Sequence, residues 1–247
     1  MSGSSKVLFG FHAVGVRLKV APASVIEIYV DASRRDARMK QFLARAQEAG
    51  ARVIEADGLR LTRLAGSAGH QGVAARVQEL ERSRSLDDLL DGLQAPPLLL
   101  VLDGVTDPHN LGAIIRTAEC ADAHGVIIPK RNACGLTSTV AKTSAGALER
   151  MPVARATNIG RTIEDLQRQG VWVAAVDMNG KAYYETEGVM KGAIALVIGN
   201  EGKGISRLVR EKCDLSISIP MKGSINSLNA SNAAAIIMYA VRRSRDC

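Results

Sequence analysis

A chain of 247 residues, 47% hydrophobic and 23% charged, has the length and apolar content for two domains with packed cores, which excludes a disordered or fibrous class. Its longest apolar stretches, such as 233–241, fall well short of the roughly 20 residues that span a bilayer, and residues 1–5 hold no signal-peptide core, so a cytoplasmic protein without membrane segments is expected. The formal charge of +7 points to a polyanionic partner, and Cys120, Cys134, Cys213 and Cys247 show neither disulfide nor zinc spacing.

In chain order, the first 78 residues alternate helical and strand signals. Helices are predicted over 12–20, 35–50 and 59–65, and strands over 25–30, 52–56 and 72–77, which together read as a small α/β domain. This part carries 12 Lys/Arg against 6 Asp/Glu. Arg34, Arg35, Arg38 and Lys40 cluster behind the strand at 25–30, where a solvated helix face explains them as well as RNA contact does. With aromatics at 3% of the chain, recognition of RNA shape and backbone is expected over a broad base-stacking platform. Residues 79–97, charged and ending in Pro96 and Pro97, read as a linker. Beyond it, buried-strand signals at 98–103, 125–128, 171–176, 193–198 and 215–220 alternate with helical stretches, the pattern of a parallel α/β sheet in a doubly wound order.

Three strand-to-loop turns in this larger part concentrate the chemistry. LVIGNEGKG at 196–204 and IPMKGSINSLNASNAAA at 219–235 each bring a buried strand to an exposed loop, and the second opens a helix through small residues. Neither is a familiar nucleotide loop. Counted from Gly199, a phosphate loop needs Lys and Ser/Thr after Gly204, where Ile205 and Ser206 stand. A dinucleotide fingerprint from Gly202 meets Arg207 where a small residue is required. The third turn, LLLVLDGVTDPHNLGAIIRTAE at 98–119, places Asn110 as a candidate helix N-cap. It also puts Leu111, Ile114, Ile115 and Ala118 on one apolar face, with Arg116 at its border, free to pair with Glu119 or to act.

NLGAIIRTA, LVIGNEGKG and IPMKGSINSLNAS resemble, in order, the three signature motifs of SpoU/TrmH-type RNA 2′-O-ribose methyltransferases of the SPOUT superfamily. The resemblance covers residues 97–243, and FGFHAV at 9–14 with HQGVAA at 70–75 extends it toward the N-terminus. Asn232 stands where a small apolar residue is expected. The resemblance implies a ribosomal-protein-like RNA substrate-binding domain at 1–78, a linker at 79–97 and a methyltransferase domain at 98–247. It further implies a C-terminal trefoil knot, which overrides the doubly wound expectation, and a homodimer. It implies S-adenosylmethionine as methyl donor, no metal, and a ribose 2′-hydroxyl as acceptor. The N-terminal domain favours 23S rRNA or a ribosome assembly intermediate, with a guanosine of the peptidyl-transferase P loop as target. A tRNA acceptor, a non-catalytic RNA-binding protein and a nicotinamide-dependent oxidoreductase are the alternatives.

The family's polar set maps onto Asn110, Arg116, Glu201, Ser227 and Asn229, and its cofactor contacts onto Gly199, Ile219 and Leu228. A guanidinium, with a pKa above about 12, is a poor base, so Arg116 is expected to orient phosphate and hydroxyl while the proton leaves through phosphate or water. His109 is the local rival as base. Asn110 and Glu201 are expected to hold Arg116 or its partner loop. Ser227 and Asn229 are expected to cap the last helix as readily as to touch a ligand. His12 and His70 are expected to be structural or RNA-facing.

Overall fold

The structure, a computed structural model, describes residues 5–78, 83–225 and 227–246. The chain begins with β1 (Ser5–Phe9), α1 (Phe11–Val20), β2 (Val25–Asp31), α2 (Ala37–Glu48), β3 (Val53–Ala56), α3 (Gly58–Ala65) and β4 (Val73–Gln78). It continues through β5 (Ser83–Arg84), α4 (Leu86–Leu90), β6 (Leu98–Asp103), α5 (Pro108–Cys120), β7 (Gly125–Pro129), α6 (Ser138–Thr143), β8 (Val153–Ala156) and α7 (Ile159–Arg168). It closes with β9 (Trp172–Ala182), α8 (Glu187–Met190), β10 (Ile194–Gly199), α9 (Arg207–Lys212), β11 (Leu215–Ser218) and α10 (Ala230–Asp246).

Two compact units result. The first comprises the described part of Met1–Glu81 together with Leu136–Arg150. Its sheet runs β1-β4-β2-β3, with β4 antiparallel to both neighbours and β2 parallel to β3. Asp36 and Asp57 start α2 and α3 by accepting the backbone N–H groups of Met39 and Arg60, so each helix begins where a side-chain oxygen satisfies a free donor. Five of the predicted elements of this unit lie within one residue of their observed ends, and the helix at 35–50 starts and stops two residues inside its expected bounds. Strand β1 escaped the periodicity because five residues at a chain start offer little pattern.

Leu136–Arg150, read from sequence as part of the larger domain, packs instead in this first unit. Helix α6 lies against β1, and Arg17 Nε meets Glu149 Oε2 at 2.5 Å with the two side chains 0% and 1% exposed. Ser83–Arg84 and Leu86–Leu90 form a strand and a helix inside the expected linker, whose residues 79–82 lie outside the described ones.

The second unit holds a seven-stranded sheet in the order β11-β9-β10-β6-β7-β8-β5, parallel at every pairing. Leu98–Leu102 of β6 are all buried, as a continuous apolar run must be when helices cover both faces. One face packs under α4, α7 and α9 through Leu89, Ile163, Leu166 and Val209, and α10 packs with α5 and α8. The predicted α/β parallel sheet is therefore present. Strands β5 and β8 were not anticipated, being two and four residues long with Arg in each. Strand β9 continues to Ala182, past its expected end at 176, through an interruption. Its pairing with β11 jumps from Ala175↔Ser216 to Lys181↔Ile217, so 176–180 leave the ladder as an outlying loop. No helix among the described residues is long and apolar enough to cross a membrane.

Candidate active site

The loops that follow β6, β10 and β11 converge at the carboxyl edge of the parallel sheet, where backbone groups leaving a sheet are free for ligands. After β10, Asn200 and Gly204 exchange backbone hydrogen bonds at 2.9 and 3.0 Å and fold Glu201–Lys203 into a tight hairpin. Asn200 rigidifies it: Oδ1 accepts the Gly202 N–H at 2.9 Å, and Nδ2 donates to the Gly104 carbonyl at 2.7 Å on the loop after β6. The hairpin returns so closely that a Cβ on Gly199 would lie 2.2 Å from the Gly204 carbonyl carbon. The close approach that requires glycine here is thus made by the chain itself.

After β11 the chain passes Ile219, Met221, Ser227 and Leu228 before Asn229 opens α10. Asn229 Oδ1 accepts the Ser231 N–H at 2.9 Å, and its carbonyl accepts Ala233 N–H at 3.0 Å, which makes it the cap expected from sequence. Asn110 is not a cap. Asp107 caps α5, with Pro108 in the first helical position where a missing N–H costs nothing. That places Asn110 in the first turn with its side chain turned inward, 7% exposed.

These positions join in one hydrogen-bonded chain. Asn229 Nδ2 donates to Asn110 Oδ1 at 3.0 Å, and Asn110 Nδ2 donates to Glu201 Oε1 at 2.8 Å. Three motifs separated by up to 119 positions thereby touch. Beside this chain lies a cavity of about 490 Å³, lined by Gly199, Glu201, Ile219, Ser227 and Leu228 among others. Val176, Ile198, Ile219 and Met221 give its lining apolar surface, and Asn200–Lys203 give it polar groups. Leu228 is exposed at this wall, an apolar surface for a ligand to cover.

Arg116 stands apart. It is exposed on α5, six residues beyond Asn110, does not line the cavity, and its side chain makes no hydrogen bond or ion pair among the described residues. His109 is also exposed, and only its backbone N–H is engaged, donating to Asp107 Oδ1. His70 is structural: its Nδ1 accepts the Gly72 N–H at 3.0 Å and its Nε2 meets Thr62 Oγ1 at 3.2 Å. Asn232 is exposed, so its polar side chain disturbs no packing.

Sequence reasoning missed the fourth wall. The outlying loop of β9 brings Asp177, Met178 and Asn179 to the cavity, where Asp177 Oδ1 accepts the Asn179 N–H at 2.9 Å and Oδ2 meets Arg210 at 3.3 Å. Gly180 lets the loop rejoin the strand, since a Cβ there would lie 2.5 Å from the Ile217 nitrogen. The Asn179-Gly180 pair, a turn dipeptide after an apolar run, was the available signal. Burial pushes the Cys213 thiol up to about 12 and raises Cys134 as well, which leaves neither as a thiolate nucleophile at neutral pH. Cys247 lies outside the described residues.

The sequence profile of the SpoU rRNA Methylase family matches residues 97–239, and that of RNA 2′-O ribose methyltransferase substrate binding matches 7–83. The chain is 50% identical to the 23S rRNA (guanosine-2′-O-)-methyltransferase RlmB of Ralstonia nicotianae, over 98% of this chain and 96% of that one. To the protein of the same name from Neisseria meningitidis it is 41% identical, over 98% and 96%. Among solved structures it is similar to the SpoU methyltransferase AviRb from Streptomyces viridochromogenes in complex with AdoMet. There the TM-score is 0.81 and the identity 25%, over 98% of this chain and 91% of that one. The profile accounts for more than half of the residues and includes all three converging loops, and so this chain belongs to the SpoU rRNA methylase family.

Proposed function

We propose that the protein transfers a methyl group from S-adenosylmethionine to the ribose 2′-hydroxyl of a guanosine in 23S rRNA. The observation that carries this reading is the hydrogen-bonded chain Asn229–Asn110–Glu201 on the rim of the 490 Å³ cavity. The names of the RlmB relatives and the AdoMet bound to AviRb support the acceptor and the donor.

The cavity fits such a cofactor. Its volume falls within the range of about 300–1,000 Å³ common to small-molecule sites, and its lining offers both apolar surface for adenine and polar groups for the amino-acid end. Gly199, Ile219 and Leu228 are the proposed contacts, Gly199 by keeping the hairpin tight and the other two by backbone groups and apolar surface. When bound, S-adenosylmethionine supplies a methyl group already activated on a sulfonium. The protein's task is then chiefly alignment and removal of one proton. Asn110 and Asn229 hold Glu201 at the rim, and Ser227 adds a hydroxyl to the same wall. Arg116, exposed and uncommitted, is assigned to the RNA, where its planar fork holds the target phosphate and orients the hydroxyl.

Residues 1–78 are assigned to RNA binding and 98–247 to catalysis. The trefoil knot and the homodimer are proposed from the family resemblance, the dimer supported by Ile236 and Tyr239, which α10 leaves 39% and 52% exposed. In that dimer an Arg116 outside the lining of its own cavity is free to complete the partner's. A cytoplasmic location follows from a ribosomal RNA substrate.

The test supplies labelled S-adenosylmethionine with unmodified 23S rRNA and with tRNA in separate reactions, and maps the product by mass spectrometry. One methylated guanosine ribose in 23S rRNA is expected. Transfer to tRNA alone would overturn the acceptor, and transfer to neither would overturn the activity.

A further inference from the structure

Three loops meet at one end of the sheet in the N-terminal unit: Gly10–Phe11 before α1, 31–36 before α2, and 70–72 before β4. Arg34 ties them together. Its Nε donates to Asp36 Oδ2 at 2.7 Å, its Nη1 donates to the Gln71 carbonyl, and its chain packs so tightly on Gly72 that a Cβ there would lie 2.7 Å from Arg34 Cδ. Phe11 sits beneath, 7% exposed and edge-on to Phe42 with ring centres 5.5 Å apart. The guanidinium carbons of Arg34 and Arg38 lie over its ring at 5.0 and 4.6 Å.

The two arginines differ in what they have left to offer. Arg34 spends its donors on Asp36 and Gln71, whereas the Arg38 side chain is exposed and makes no hydrogen bond or ion pair among the described residues. The nearby acids are occupied. Asp31 accepts from the Ser33 N–H and Oγ, and Asp36 from Arg34 and the Met39 N–H. Arg35, Arg38 and Lys40 therefore present a positive edge to which no carboxylate among the described residues is paired. The other arginine over a ring in this unit, Arg60 at 5.2 Å from Tyr29, shares its field with the Glu27 carboxylate. Phe9, Phe11, Tyr29 and Phe42, the aromatic residues of the unit, are all buried, so no ring is available to a base.

We propose that Arg38, backed by Phe11, is the stacking platform for one unpaired base of the RNA substrate, with Arg35 and Lys40 holding the adjoining phosphates. This rests on the reading of the chain as an RNA methyltransferase and names where the RNA is gripped. A guanidinium is planar and weakly hydrated, and RNA-binding proteins use it as they use aromatic rings, to stack on splayed-out bases. The ring beneath limits the freedom of the side chain before RNA arrives, which lowers the ordering cost of binding. A broad aromatic surface is then unnecessary, and the scarcity of exposed rings no longer argues against base stacking.

The test measures RNA affinity by filter binding to an unmodified 23S rRNA domain transcript, with S-adenosylhomocysteine affinity as the control for an intact protein. Arg38→Ala is expected to weaken RNA binding about tenfold or more, the range of one base stack, with cofactor affinity unchanged. Arg38→Lys keeps the charge but not the plane and should recover only a minor part. Replacing the unpaired nucleotides one at a time by abasic sites should find a single position that costs the wild type the same factor and costs Arg38→Ala nothing more. Full binding by Arg38→Lys, or equal loss by both proteins at every abasic position, would overturn the stacking role. If wild-type protein binds cofactor yet neither binds nor methylates the transcript, the functional reading fails instead.

Discussion

Asn110 donates its side-chain amide to Glu201 across 2.8 Å and 91 positions of sequence, which ties the first turn of α5 to the hairpin after β10. Asn110 accepts in turn from Asn229, so one buried amide holds two of the three loops to the third. Replacing it by Ala leaves the Asn229 amide without its acceptor. Asn110→Ala should cost about 1–3 kcal/mol of stability, the usual penalty for orphaning a buried polar group, and most of the turnover. Denaturant unfolding and single-turnover methylation measure the two effects. Stability and rate both at wild-type levels would show the chain of amides to be incidental.

Arg116→Ala should abolish turnover while leaving cofactor affinity largely intact, because the side chain does not line the cavity. His109→Ala should retain most activity, since its imidazole is exposed and only its backbone N–H is tied, to Asp107. Methyl transfer assays with calorimetry of S-adenosylhomocysteine binding separate the cases. A silent His109 variant beside a dead Arg116 variant is the expected pair, and the reverse would make the imidazole the proton acceptor.

Gly199→Ala and Gly180→Ala each push a Cβ into backbone, at 2.2 Å from Gly204 and at 2.5 Å from Ile217. Backbone cannot step aside as a flexible side chain does. Each should lose at least about 1–3 kcal/mol, the range for overpacking, together with cofactor binding. Gly188→Ala, which meets nothing within 4 Å, is the control and should leave thermal unfolding and binding nearly unaltered.

Arg17 and Glu149 form a wholly buried pair that holds the 136–150 segment in the first unit. Removing one partner leaves the other's charge in a dry site, so Arg17→Ala or Glu149→Ala alone should cost about 3–5 kcal/mol. Arg17→Met with Glu149→Leu removes both charges and should restore most of that stability. Chemical denaturation of the single and double variants checks the coupling.

His124 is partly buried, its Nδ1 accepting the Leu98 N–H at 3.1 Å. Burial lowers its pKa below the ordinary value of 6.5, and an accepting Nδ1 also demands the neutral ring. The unfolded chain therefore takes up this proton first as pH falls. The contribution of the neutral ring is fully present above about pH 6.5 and declines below it. His124→Asn, which keeps an acceptor but does not titrate, should flatten the loss of stability between about pH 6.5 and 5. Parallel slopes for the two proteins would assign the acid sensitivity elsewhere.

Much of the site was legible one loop at a time. Gly199, Ile219 and Leu228 stand in turns whose apolar approach and glycine content announce a strand leaving a sheet, and Asn229 reads as a cap before a helix. Asn110 was misread locally because Asn suits an N-cap, yet Asp107 followed by Pro108 holds that position and turns Asn110 inward. Asp177 and Asn179 were passed over because a buried-strand signal ends where its apolar run ends, and a break in register is a property of the partner strand. Arg38 read as one of several cations on a helix. Its distinction is the ring beneath it, supplied from another helix.

By itself the sequence determined the succession of strands and helices, the two-part character of the chain and the three loop motifs. Those follow from hydrophobic periodicity, turn chemistry and caps, which act over a few residues. Tertiary structure alone decided that β10 lies between β9 and β6, that 136–150 join the N-terminal unit, and that Asn229, Asn110 and Glu201 meet at one rim. Strand neighbours far apart in sequence are selected by the packing of whole faces, a choice that local pattern does not encode.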